Sequence, residues 1–120
     1  MAEPISIEML RLSINMAATE QRLTLENIAS ANNAAAGYKV SDFSRLIEAV
    51  RHESEQTRIA ELSDNWSKVE SGFTHKLSKQ VALDEEVALS MKAAGKYQKM
   101  IEVLNRKLAL AELAANGGKR

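Results

Sequence analysis

The chain has 120 residues, with 16 basic and 16 acidic side chains and no cysteine. This length accommodates one structural unit with a single hydrophobic core. A formal net charge of zero provides no general attraction to nucleic acid or to anionic membranes, so no nucleic-acid partner is expected. The absence of cysteine excludes disulfides and thiolate chemistry. Only 4% of the residues are aromatic, and a mainly aliphatic core is typical of packed helices.

The N-terminal sequence does not resemble a secretory signal. Met1–Pro4 contains an acidic residue and no basic one, and Ser6, Glu8 and Arg11 interrupt the apolar residues that follow. We therefore expect neither a Sec-type signal peptide nor a membrane span in this region.

An N-terminal helix is predicted from Ile5 to Ala31, because apolar residues recur there at three- and four-residue spacing. Two apolar lines lie on roughly opposite sides of this helix, at about 100° per residue. The first seam consists of Ile7, Leu10, Ile14, Ala17 and Ile28. The second line consists of Met9, Leu12, Met16 and Leu23. A two-helix hairpin needs only one stripe, so we expect the other to contact a further partner and the free monomer to be partly disordered at both ends.

The middle of the chain begins with a predicted turn from Asn32 to Lys39, where Gly37 can adopt a positive φ. A short helix is predicted from Asp42 to His52, with Ser41 or Asp42 as its N-terminal cap. The following residues, 53–80, are polar and rich in serine, with apolar residues at a spacing that also permits a helix.

The C-terminal helix is predicted from Asp84 to Ala115. Its seam consists of Val87, Ala94, Tyr97, Ile101, Leu104, Leu108, Ala111 and Ala115. The acidic run of Asp84, Glu85 and Glu86 is interpreted as a favourable charge at the positive end of the helix, and the glycines after Asn116 as its stop.

The predicted fold is all-α. Long N- and C-terminal helices (residues 1–31 and 81–120) form an antiparallel, coiled-coil-like pair, and residues 32–80 supply a turn, a short helix and a polar, variable segment. These parts form one structural unit.

No convergent chemical site is evident in the sequence. His52 and His75 lie in polar surroundings without partners at metal-ligand spacing, so we interpret them as solvated surface residues. The methionines on apolar faces are interpreted as core filling. We expect no catalytic residue, metal, cofactor or small-molecule substrate, and therefore no enzymatic activity.

Two sets of residues resemble the flagellar rod and hook family of axial proteins. The N-terminal signature of that family usually reads N-I-A-N-A-x-T-P-G-Y-K, and the corresponding residues here are Asn27, Ile28, Ala29, Gly37, Tyr38 and Lys39. Two residues are inserted, and the Thr-Pro pair is missing. The C-terminal set is similar to the end of proximal rod subunits and comprises Asp84, Glu85, Tyr97, Gln98, Ile101, Leu104, Asn105 and Leu108.

The resemblance implies a non-enzymatic subunit that the flagellar type III export apparatus exports without a cleaved signal. It further implies assembly in the periplasm with copies of itself, other rod proteins and a basal-body ring or adaptor protein. In this family the terminal helices lie along the rod axis, and the middle segment lies farther out. The alternatives are a sister rod protein, or a small helical adaptor or export chaperone. Tyr97, Ile101 and Leu104 could also simply fill the core of a hairpin.

Overall fold

The computed structural model describes residues 6–32, 37–77 and 81–117. In chain order these residues form α1 (Ile7–Ala29), β1 (Tyr38–Ser41), α2 (Ser44–Arg51), α3 (Gln56–Asp64), α4 (Trp66–Ser71), β2 (Thr74–Leu77) and α5 (Leu83–Gly117). The molecule measures 62 × 27 × 25 Å. At 1.5 Å per residue, α5 alone spans about 52 Å of the long axis. The predicted all-α fold is confirmed.

The two long helices begin and end within about two residues of their predicted bounds. The hydroxyl of Ser6 accepts a hydrogen bond from the Met9 amide (3.1 Å) and caps the start of α1. Asp84 and Glu85 lie in the first turn of α5, as predicted. None of the described helices has the length and apolar character needed to span a membrane.

The helices α1 and α5 pack against each other in antiparallel orientation. Asn27, near the end of α1, hydrogen-bonds to Glu86, near the start of α5. Met9, near the start of α1, lines the same groove as Met100. The predicted pairing of the terminal helices is therefore confirmed.

The middle segment contributes more to the core than its polar sequence indicated. The main apolar cluster consists of Leu12, Met16, Phe43, Leu46, Val50 and Ile59. The Phe43 ring lies 5.5 Å from Trp66 and 5.9 Å from Phe73, measured between centroids. Residues from 32–80 cover Leu12 and Met16, so the second line of α1 packs against the chain's own middle segment. The expectation that one apolar line is left for a further partner therefore does not apply to the second line.

A two-stranded antiparallel ribbon was not predicted. Tyr38 pairs with Leu77, and Ser41 pairs with Thr74. The predicted turn therefore extended too far, because Tyr38 and Lys39 belong to β1; residues 33–36 of that turn lie outside the described residues. Gly37 has φ 75°, and a Cβ atom there would lie 2.9 Å from Cγ of Lys76. Glycine at this position allows the close approach of the two strands.

Polar contacts fix the small helices to the scaffold. The Asp42 carboxylate accepts hydrogen bonds from the hydroxyl (2.7 Å) and backbone amide (3.1 Å) of Ser44 at the start of α2, and these bonds lower the pKa of Asp42. The hydroxyl of Thr19 on α1 donates to Glu70 (2.5 Å) and accepts from the Trp66 indole (2.9 Å). Both partners of Thr19 lie on α4, so that helix is held at a defined place on α1.

Candidate functional site

Residues from both ends of the chain meet at a buried polar cluster, which we call the Glu86 junction and which comprises Asn27, Tyr38, Lys39 and Glu86. The Asn27 amide group donates to the Lys39 carbonyl (2.8 Å) and accepts from the Lys39 amide (2.9 Å). The same amide nitrogen donates to Oε2 of Glu86 (3.2 Å), and the Tyr38 hydroxyl donates to Oε1. The junction therefore connects α1, β1 and α5.

The electrostatics of the junction depend on the Glu86 side chain, of which only 1% is exposed. Its hydrogen bond from Tyr38, with help from burial and from the charges of Glu86 and Glu85, raises the pKa of Tyr38 to about 12. Among the described residues, no basic side chain forms an ion pair with Glu86. The carboxylate is therefore held by neutral donors, an arrangement that depends strongly on their exact positions.

Beside the junction lies an open groove of about 390 Å³ between α1, β1 and α5. Its walls carry both signs of charge, with Glu20 opposite Lys92 and Lys96 in the lining. No cluster of three potential metal ligands occurs within the described residues. His52 and His75 are both exposed, as predicted. His52 contacts Glu48 (3.0 Å), four residues earlier in the chain, so the prediction that it lacks a carboxylate at this spacing is wrong.

The structure brings together only part of the predicted motif. Asn27, Tyr38 and Lys39 converge on the junction, whereas Ala29, Asp84 and Glu85 are exposed around it. Glu86 was missed, because it was interpreted as one of three charges at a helix start. The sequence contains no signal for it, because its buried neighbour at a spacing of seven residues, Ala93, is identified as buried only by the structure.

The inward side of α5 differs slightly from the predicted seam. Glu86 and Ala93 are buried, and Tyr97, Met100 and Leu104 are partly buried on nearly the same face. Val87, which was placed first in the seam, is 42% exposed, and Leu108, Ala111 and Ala115 at its end are exposed as well, so the predicted seam is too long at both ends. The seam therefore runs one residue earlier at the start of the helix.

The hairpin of α1 and α5 carries apolar side chains on the side away from α2–α4, which we call the open face. Helical geometry at about 100° per residue places these residues on adjoining flanks of the two helices. They are partly or largely exposed: Ile7, Ile14, Leu25, Ile28, Leu83, Val87, Met91, Ala94, Ile101 and Leu108. Leu25 is 50% exposed and Met91 is 71% exposed. The first seam of α1 thus borders this face.

The C-terminal part of α5 extends past the start of α1. Residues 108–117, here called the projecting segment, are exposed throughout. Leu110 and Leu113 are 65% and 67% exposed. Gln98 and Asn105 of the predicted motif are also exposed, whereas Ile28, Tyr97, Ile101 and Leu104 are partly buried along the hairpin.

Comparisons with protein-family models, with curated proteins and with solved structures find no match to this chain. The arrangement of the described side chains must therefore support any function proposed for it.

Proposed function

We propose that this chain is a structural subunit of the bacterial flagellar basal-body rod, similar to the proximal rod protein FlgB, and that it polymerises through α1 and α5. The supporting observation is the apolar surface formed by the open face and the projecting segment. Large exposed apolar patches mark sites of association in soluble proteins. Here the patch follows the two long helices and continues to one end of the molecule.

Burial of this surface supplies a driving force for assembly. Each Å² of apolar surface removed from water contributes roughly 25 cal/mol. Met91, Leu110 and Leu113 are each about two-thirds exposed or more, so a neighbouring helix would gain from covering them. The antiparallel helices α1 and α5 both run along the long axis of the molecule, and this shape suits side-by-side packing of copies in a rod.

In this proposal the subunit leaves the cytoplasm through the flagellar export apparatus, without a cleaved signal, and assembles in the periplasm. Its partners are copies of itself, other rod proteins and a basal-body ring or adaptor protein. The sister rod protein FlgC is an alternative identity with the same mode of assembly. A small helical adaptor or export chaperone is the alternative of a different class, and it would bind one soluble partner in the cytoplasm.

The test uses two substitutions and one control substitution in a motile bacterium that carries this gene. Leu104→Asp places a carboxylate in the partly buried seam, where desolvation of an unpaired charge is unfavourable. Leu113→Asp places the same charge on the exposed projecting segment, where it leaves the fold intact. Glu112→Asp changes an exposed neighbour without adding a charge and serves as the matched control.

Export and incorporation are measured separately, by immunoblotting of secreted protein and by electron microscopy of purified basal bodies with the subunit labelled. Both Asp variants are expected to be exported, because a type III substrate travels unfolded, and to be missing from the rod. Glu112→Asp is expected to assemble. Incorporation of Leu113→Asp at wild-type levels contradicts the proposal, and a wild-type protein that is never exported favours the adaptor or chaperone.

A further inference from the structure

The contact between α1 and α5 is the most extensive between two elements of the described chain, but few of the α5 side chains in it are fully buried. On α5 only Glu86 and Ala93 are buried. Ala17 and Ser13 of α1 line the groove that also contains Lys96 and Met100. Small side chains let two helices approach closely, but they form few deep knobs that resist sliding. A shift of one helical turn, about 5.4 Å, would disturb the packing of the partly buried Met100 and Leu104, but it would leave no charge of theirs unpaired.

The Glu86 junction differs from the rest of this contact because it can form in one position only. The two hydrogen bonds between Asn27 and Lys39 fix β1 to α1, so Asn27 and Tyr38 present their donors at a fixed place. Sliding α5 by one turn would separate Glu86 from both donors. A carboxylate that is 1% exposed would then lose its hydrogen bonds or have to move into water.

We propose that Glu86 sets the axial register of α5 on α1 and thereby fixes how far the projecting segment extends beyond the start of α1. A single buried polar group is known to select one register in helical pairs, at some expense in stability. In this chain the selected register determines the position of every exposed apolar side chain of α5 relative to those of α1. The inference concerns the isolated subunit and does not depend on the proposed rod function.

Spin labels on two engineered cysteines test this inference. The chain has no cysteine of its own, so Arg11→Cys and Ala88→Cys provide the only attachment sites, and both positions are exposed on the packed part of the hairpin. Arg11 lies between Met9 and Ser13, which share a groove with Met100 and Lys96. Ala88 is therefore displaced by about 15 Å along the axis at 1.5 Å per residue, and sliding changes the distance between the labels.

The distance distribution is measured by pulsed electron paramagnetic resonance on the full chain, diluted with unlabelled protein to suppress distances between copies. Three backgrounds are compared: Glu86, Glu86→Gln and Glu86→Met. Gln can still accept the hydrogen bond from Tyr38. Met has a similar length but cannot replace the carboxylate as acceptor for either Tyr38 or Asn27. We expect one narrow distance for Glu and Gln, and for Met a second population shifted by several ångströms. A single unchanged distance in Glu86→Met overturns the proposal.

Glu85→Met is the matched control, because Glu85 is the exposed neighbour of Glu86, and it is expected to retain the narrow distance. If circular dichroism shows that Glu86→Met does not fold, Tyr38→Phe replaces it, since this change removes one donor and keeps the carboxylate. A second distance in Tyr38→Phe supports the proposal. A single distance identical to that of the unsubstituted chain overturns it.

Discussion

The hydroxyl of Tyr38 donates a hydrogen bond to the carboxylate of Glu86, which lies 48 positions later in the chain. This bond joins the ribbon strand β1 to the start of α5, while Asn27 brings α1 to the same carboxylate. Three elements that are distant in sequence thus depend on one buried acidic side chain.

The Tyr38–Glu86 pair is expected to make the free energy of unfolding decrease at alkaline pH. The pKa of Tyr38 is about 12 in the folded chain, against the ordinary tyrosine value of 10.0. The unfolded chain therefore releases this proton at lower pH than the folded chain. The contribution of Tyr38 is fully present below about pH 10 and is lost as the pH rises through about 12.

The measurement is the free energy of unfolding in urea between pH 8 and about 12, for the unsubstituted chain and for Tyr38→Phe. The two chains should differ in slope only in the alkaline range, with Tyr38→Phe declining less steeply. A Tyr97→Phe background leaves Tyr38 as the only tyrosine, so its ionisation can be followed by ultraviolet absorbance. Identical slopes for the two chains would show that Tyr38 does not carry this effect.

Leu12 and Leu25 lie on opposite sides of α1 and allow core and surface contributions to be separated. Leu12→Ala removes a fully buried side chain of the main cluster and is expected to lower the free energy of unfolding by about 2–5 kcal/mol. Leu25→Ala shortens a half-exposed side chain of the open face and is expected to change the free energy of unfolding by less than about 1 kcal/mol. Urea unfolding monitored by the single tryptophan, Trp66, measures both. Equal effects would contradict the assignment of the two faces.

Hydrogen exchange should distinguish the two long helices in the free subunit. Disorder at both ends was expected because α1 carries two apolar stripes and one hairpin covers a single stripe, but the middle segment covers the second line. We now expect slow exchange at the amides of Leu12 and Leu23 and fast exchange over residues 108–117, which lack packing partners within the described chain. Mass spectrometry of the monomer measures this difference, and uniform protection along α5 would contradict it.

Removal of the projecting segment should affect assembly rather than folding. A chain without residues 108–120 keeps the main cluster and the Glu86 junction, so its free energy of unfolding is expected to stay within about 1 kcal/mol of the full chain. Cells that carry only this truncated subunit are expected to be non-motile. A chain that lacks only residues 118–120 is the control. Normal motility with the longer deletion would contradict the proposed role of this segment in assembly.

Local sequence determined the helical framework of this protein. The approximate bounds of α1 and α5 follow from apolar spacing at three and four residues and from acidic residues in the first turn of α5. The Ser6 cap was missed, because the helix was predicted to begin at Ile5. The positive φ of Gly37 was likewise predicted from residue type. These features depend on interactions within a few positions along the chain, which a single sequence displays directly.

Only the tertiary structure decided which sides of the helices are covered. The β1–β2 ribbon pairs residues 33 to 39 positions apart, from Ser41 with Thr74 to Tyr38 with Leu77, and four-residue strands have too little periodicity to identify in a sequence. Whether the second line of α1 met a partner or the chain's own middle segment depended on packing between distant residues. Glu86 was interpreted from the sequence as a charge at a helix end, because its partners Asn27 and Tyr38 are distant in the chain. Its hydrogen bonds with them make it the buried centre of the junction.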